Sequence, residues 1–89
     1  MSAVGQYTSA IDKTAESNIS YRKSVYALED AVNLIYRNVD AKELGSNAEA
    51  RNAKVSEKTQ DLIVAKREAE YLLETARANE SRIKAEVDQ

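Results

Sequence analysis

The chain has 89 residues, enough for one domain and near the lower size at which a hydrophobic core sustains itself. Its 13 Lys plus Arg are interleaved with 15 Asp plus Glu for a net charge of -2, so no basic field exists to draw in nucleic acid or an anionic membrane. With no cysteine and no histidine, disulfides, thiolate–zinc centres and imidazole acid–base chemistry are excluded.

The opening stretch MSAVGQYTSAIDK has neither a basic n-region nor an apolar run of signal-peptide length. The longest uninterrupted apolar run elsewhere is LIVA, Leu62 to Ala65, far short of a membrane span. A cytoplasmic protein is expected, with a leaderless secreted one as the minor alternative. Abundant Ala, Glu, Lys, Arg, Leu and Gln favour long helices.

The first element is a helix over about 4–43. Val4, Ile11, Asn18, Val25, Val32 and Val39 recur every seven residues, and Tyr7, Thr14, Tyr21, Leu28 and Ile35 fall three later. That pairing is the a/d seam of a helix lying lengthwise on another helix. The segment AESNIS, 15–20, carries poor helix formers, and Ser17 is a candidate cap for a fresh start. The helix is nonetheless expected to run through it.

The reversal follows at 44–46. Gly45 suits the left-handed position that ends a helix, because it has no Cβ to clash. Ser46 and Glu49 are spaced as a capping box that starts the next helix. Stop and start signals side by side predict a fold-back; one unbroken helix is the competitor.

The second helix is expected over about 47–87. Ala48, Val55, Leu62, Ala69, Ala76 and Ile83 repeat every seven residues, with Ala65, Leu72, Leu73 and Val87 broadening the stripe. Opposite charges at helical spacing, Lys66/Glu70 and Arg82/Glu86, read as a solvated face. The whole, 1–89, is then an all-α antiparallel hairpin of two helices, each about 60 Å long. In that arrangement 25–36 lies opposite roughly 55–66.

Near the turn the two faces do not match. Ala27, Ala31 and Leu34 form a second stripe on helix one, while helix two offers Arg51 and Lys58 opposite. The surplus is expected to be buried by another copy of the chain, giving a dimeric four-helix bundle or coiled coil. Val25, Leu28, Ala31, Val32, Leu34 and Ile35 are the predicted assembly residues.

No catalytic, cofactor-binding or metal-ligating set emerges. Asp12/Glu16, Glu57/Asp61 and Glu70/Glu74 are paired carboxylates at helical spacing. They fall mainly outside the seam, and a metal site in a bundle would want an inward histidine beside them. Gly5 and Gly45 stand alone, so there is no phosphate-binding loop. All five aromatics are tyrosines. Tyr7 and Tyr21 belong to the seam, whereas Tyr26 near Arg22 and Lys23, and Tyr36 beside Arg37, form a candidate partner-binding set.

The segment LGSNAEARNAK, 44–54, resembles small phage-encoded helical accessory proteins. Gly45, Asn47, Glu49 and Arg51 match, in order, a pattern that opens a long C-terminal helix in such proteins. The resemblance covers the second half and implies a phage origin and a non-catalytic role. Secreted hairpins of the Trp-x-Gly family share the length, but this chain has no Trp, and Tyr71 is followed four residues later by Thr75 where an acid is expected. Type III secretion needle subunits usually carry proline at their turn, and proline is absent here.

The expected function is therefore a non-enzymatic helical interaction protein, self-associating and binding a macromolecular partner, with a phage accessory or inhibitor role as its sharper form. The alternative is a nucleic-acid-binding factor using Lys54, Lys58, Lys66 and Arg67, opposed by Glu57, Asp61, Glu68 and Glu70.

Overall fold

The computed structural model describes residues 3–88; positions 1, 2 and 89 of the expected domain lie outside them. Helix α1 spans Ala3–Asn38, α2 is the single turn Ala41–Leu44, α3 spans Ala48–Lys58 and α4 spans Gln60–Val87. There is no strand among the described residues. Helix α1 packs along α4, while α2 packs on α3, so the molecule is an all-α hairpin measuring 61 × 19 × 15 Å.

Helix α1 runs unbroken through 15–20. On either side of that segment a hydroxyl bonds back to the helix: Thr8 Oγ1 donates to the Val4 carbonyl at 3.0 Å, and Ser24 Oγ to that of Tyr21 at 2.6 Å. Such back-bonding keeps a polar side chain inside a helix without competing for its amides. Ser17 accordingly sits mid-helix and caps nothing.

The reversal is more elaborate than the expected turn at 44–46. Helix α1 stops at Asn38, five residues short of the expected end, where the Asn38 side-chain amide donates to the Leu34 carbonyl at 3.0 Å. Asp40 then takes an extended conformation, and its Oδ1 accepts from the Lys42 amide at 3.2 Å, starting α2. An aspartate gains more as a cap than in a helix interior, which divides the expected helix one here.

Gly45 follows with φ 153° and ψ 164°, and its amide donates to the Ala41 carbonyl. This is a second conformation reserved for glycine, distinct from the left-handed helical one expected. A Cβ there would lie 2.8 Å from Ala50 Cβ. A single side-chain cap replaces the expected capping box: Asn47 caps α3, its Oδ1 accepting from the Ala50 amide at 2.7 Å, so Ser46 and Glu49 do not form the box. The amide oxygen of Asn47 reaches the third helical amide from its own position, leaving Ser46 in the bend.

A second interruption falls at Thr59, between α3 and α4. The residue is buried at 4% exposure, and its Oγ1 donates to the Val55 carbonyl at 2.8 Å. Its own carbonyl accepts from both Leu62 and Ile63 amides at 3.0 Å. A back-bonding β-branched residue bends the helix axis while the hydrogen-bond ladder is carried across.

Two contacts mark the register between the arms of the hairpin, one from α1 to α4 and one from α1 to α3. Thr14 Oγ1, already 3.0 Å from the Ala10 carbonyl, lies 3.3 Å from the Ala76 carbonyl across the interface. At the other end the Tyr36 hydroxyl donates to Asn52 Oδ1 at 3.4 Å. These pairs set 25–36 opposite about 53–64, displaced by one to three residues from the expected 55–66.

The core is thin. Ala10, Leu44, Val55, Leu73, Ala76 and Ile83 are its buried apolar residues, and no described side chain is sealed completely. Seam residues Tyr7, Tyr21, Val25, Leu28, Val32 and Ile35 are half-buried. Val4 and Ile11 turn outward at 65% and 42% exposure, with Ala10 buried instead. A straight helix drifts about 20° per heptad from a strict seven-residue repeat, which carries the seam off its first a positions. On the second strand of the hairpin Leu73 is buried, whereas Ala48, Ala65 and Leu72 remain exposed.

Candidate interaction surfaces

The predicted assembly residues divide in two. Val25, Leu28, Ala31, Val32 and Ile35 are half-buried within a single hairpin, and Leu34 alone of the six stays exposed, at 58%. Leu34 lines a shallow hollow of about 310 Å³ with Asp30, Ala31, Asn33 and Arg37. The reason is geometric. Ala27 and Leu34 lie seven apart on the flank of α1, away from the stripe that meets α4.

The predicted partner-binding residues are all exposed on α1. They do not converge. Arg22, Lys23 and Tyr26 form one group on the outer side, with Ile19 beside them at 55% exposure and Tyr26 at 61%. Tyr36 and Arg37 lie about 15 Å further along the helix axis, at its 1.5 Å rise per residue. Tyr36 is engaged with Asn52 of α3, and exposed Glu29 and Asp30 separate the two groups.

An apolar group of the same kind on α4 was not among the predicted site residues. Val64, Tyr71 and Leu72 are exposed at 41%, 68% and 59%. Tyr71 and Leu72 line a hollow of about 420 Å³ with Arg67 and Glu68. Val64 and Tyr71 are themselves seven residues apart, so the signal was legible as a second periodic stripe on the outer face. Leu72 also borders an inter-helix groove shared with Ser17, Ser20, Ala65 and Ala69.

Charge on these surfaces is finely mixed. Among the described residues the ion pairs are Lys54–Glu57 at 3.9 Å and Arg82–Glu86 at 3.2 Å, both at the surface and within one helix. Such pairs contribute little to stability, about 0.3–0.5 kcal/mol each. The carboxylate pairs Asp12/Glu16, Glu57/Asp61 and Glu70/Glu74 all face solvent. The described residues contain no grouping of acidic side chains fit to hold a metal ion, and no helix among them is long and apolar enough to cross a membrane. Comparison with protein-family models, with curated proteins and with solved structures gives no match.

Proposed function

We propose that this chain is a non-enzymatic helical interaction protein that self-associates and binds a macromolecular partner. Surplus surface carries the reading. The hairpin exposes 6606 Å², whereas a compact monomer of this mass exposes about 5,200 Å². The difference, about 1,400 Å², exceeds the roughly 800 Å² that each partner contributes to a standard protein–protein interface. Part of that surface is large and apolar: Ile19, Tyr26, Leu34, Tyr71 and Leu72 each stand more than half exposed.

A nucleic-acid role is less well supported. Lys54 is within ion-pair distance of Glu57 and Lys66 is half-buried, and the exposed Lys58 and Arg67 have the acidic neighbours Glu57 and Glu68 beside them. The sharper form, a phage accessory or inhibitor protein, rests on the resemblance carried by Gly45, Asn47, Glu49 and Arg51.

Light scattering over a concentration series, at low and high salt, tests self-association. The expected mass is twice the 9.9 kDa of one chain, or more. A monomer throughout the series overturns it.

A further inference from the structure

The two arms of the hairpin share a recurring set of residues, part of it exposed. Sliding the sequence by the offset that brings Thr14 onto Thr59 also brings Lys13 onto Lys58, Arg22 onto Arg67 and Tyr26 onto Tyr71. Leu28, Glu29 and Ala31 fall on Leu73, Glu74 and Ala76. Environment repeats with identity. Ala10 and Val55 are both buried, and the Thr14 and Thr59 hydroxyls donate to these residues' carbonyls, at 3.0 and 2.8 Å. On the outer side Ile19, Arg22 and Tyr26 correspond to Val64, Arg67 and Tyr71, all exposed.

Among the positions that differ, one bears on charge beside the shared arginine. Next to the arginine, α1 carries Lys23 where α4 carries Glu68. Neighbouring residues on a helix lie about 100° apart, so 67 and 68 flank the Val64–Tyr71 line on opposite sides, as 22 and 23 flank Ile19–Tyr26. When two identical helices pack in parallel about a two-fold axis along their length, each flank meets the opposite flank of its partner at the same level. For α4 this sets Arg67 against Glu68 twice, an attractive pair on each side. For α1 it sets Arg22 against Lys23 twice, which repels.

We propose that the outer face of α4 docks in parallel on α4 of a second copy, with Val64 facing Val64, Tyr71 facing Tyr71, and two reciprocal Arg67–Glu68 pairs. Charge selects α4 over α1, and the surplus area described above accommodates the contact. The hollow beside Tyr71 leaves room for an aromatic ring from the facing chain. Because α1 cannot pair with itself in this way, its Ile19–Arg22–Lys23–Tyr26 face stays open on the outside of the dimer. This proposal rests on the self-association reading.

The test is a charge exchange read by sedimentation equilibrium, with far-UV circular dichroism as a check on folding. Arg67→Glu places like charges on both flanks of the contact, and so does Glu68→Lys; each variant alone is expected to have half the wild-type mass. An equimolar mixture restores opposite charges on both sides and is expected to recover the wild-type mass. Ala78→Cys, exposed two heptads beyond Val64 in a chain without cysteine, is expected to form a symmetric disulfide across the parallel dimer.

A wild-type chain that is already monomeric overturns the self-association reading itself. A dimeric wild type whose single-charge variants also stay dimeric leaves that reading standing and overturns the α4 face, with Leu34→Glu then locating the contact on α1. Monomeric single variants that do not recombine, or an Ala78→Cys dimer that fails to cross-link, overturn the parallel pairing.

Discussion

The two ends of this hairpin are built differently. At the turn, between Val39 and Thr59, order comes from particular devices: the Asp40 and Asn47 caps, Gly45 in a glycine-only conformation, and Leu44, Val55 and Thr59 each buried to 6% exposure or less. Along α1 and α4, order comes from repetition. A long row of half-buried side chains is interrupted by Ala10, Leu73, Ala76 and Ile83 as its buried members. The turn therefore depends on caps and one glycine, while the long pair combines a few buried anchors with a row of half-buried contacts. Exposed apolar residues such as Tyr26, Leu34 and Tyr71 stand on the outward faces of the long pair.

Substitutions at four positions sharpen this contrast, each read as the shift in urea midpoint at one fixed protein concentration with an unchanged slope. The largest effect belongs to the long pair's own anchor. Leu73→Ala removes a side chain at 3% exposure and is expected to destabilise by about 3 kcal/mol. A loss comparable to that of an exposed leucine would mean that burial along α4 is uniform and that no anchor exists.

Gly45→Ala comes next. The backbone there disfavours any side chain, by about 1–3 kcal/mol, and the new Cβ would lie 2.8 Å from that of Ala50. Asn47→Ala is the smallest, at about 1 kcal/mol for a lost N-terminal cap. Asn47→Ser is expected to recover most of that loss, whereas Ser46→Ala is expected to change little. If Ser46→Ala proves the more costly of the two, the cap lies where the sequence first placed it.

Much of the architecture was legible before any coordinates. Heptad spacing predicts two long helices, and the Gly45 region predicts a reversal within about three residues of the register that Thr14–Ala76 and Tyr36–Asn52 now mark. The division of the first helix at Val39 was not anticipated, although Asp40 has the chemistry of a cap. Several asparagines, serines and aspartates here can serve as caps, and local preference does not rank them. The structure selects Asn47 over Ser46 because its amide oxygen reaches the Ala50 amide at 2.7 Å.

The candidate surfaces were half legible. Arg22, Lys23 and Tyr26 are grouped and exposed as expected, yet Tyr36 and Arg37 belong to a separate region near the turn. Leu72 and Leu73 both read in sequence as seam-broadening, and of the two Leu73 enters the core while Leu72 stays exposed. Adjacent positions on a helix differ by about 100° in direction, so a run of two leucines cannot announce which one faces inward.

By itself the sequence determined the all-helical class, the fold-back and its approximate register. These follow from periodicity and from a glycine that interrupts it, and both are properties of the chain read along its length. Only tertiary structure decided where the seam drifts off Val4 and Ile11, which leucine is core, and which apolar residues remain outside. Those outcomes depend on how two helices of 3.6 residues per turn lie against each other in space, and a repeat of sevens does not contain that information.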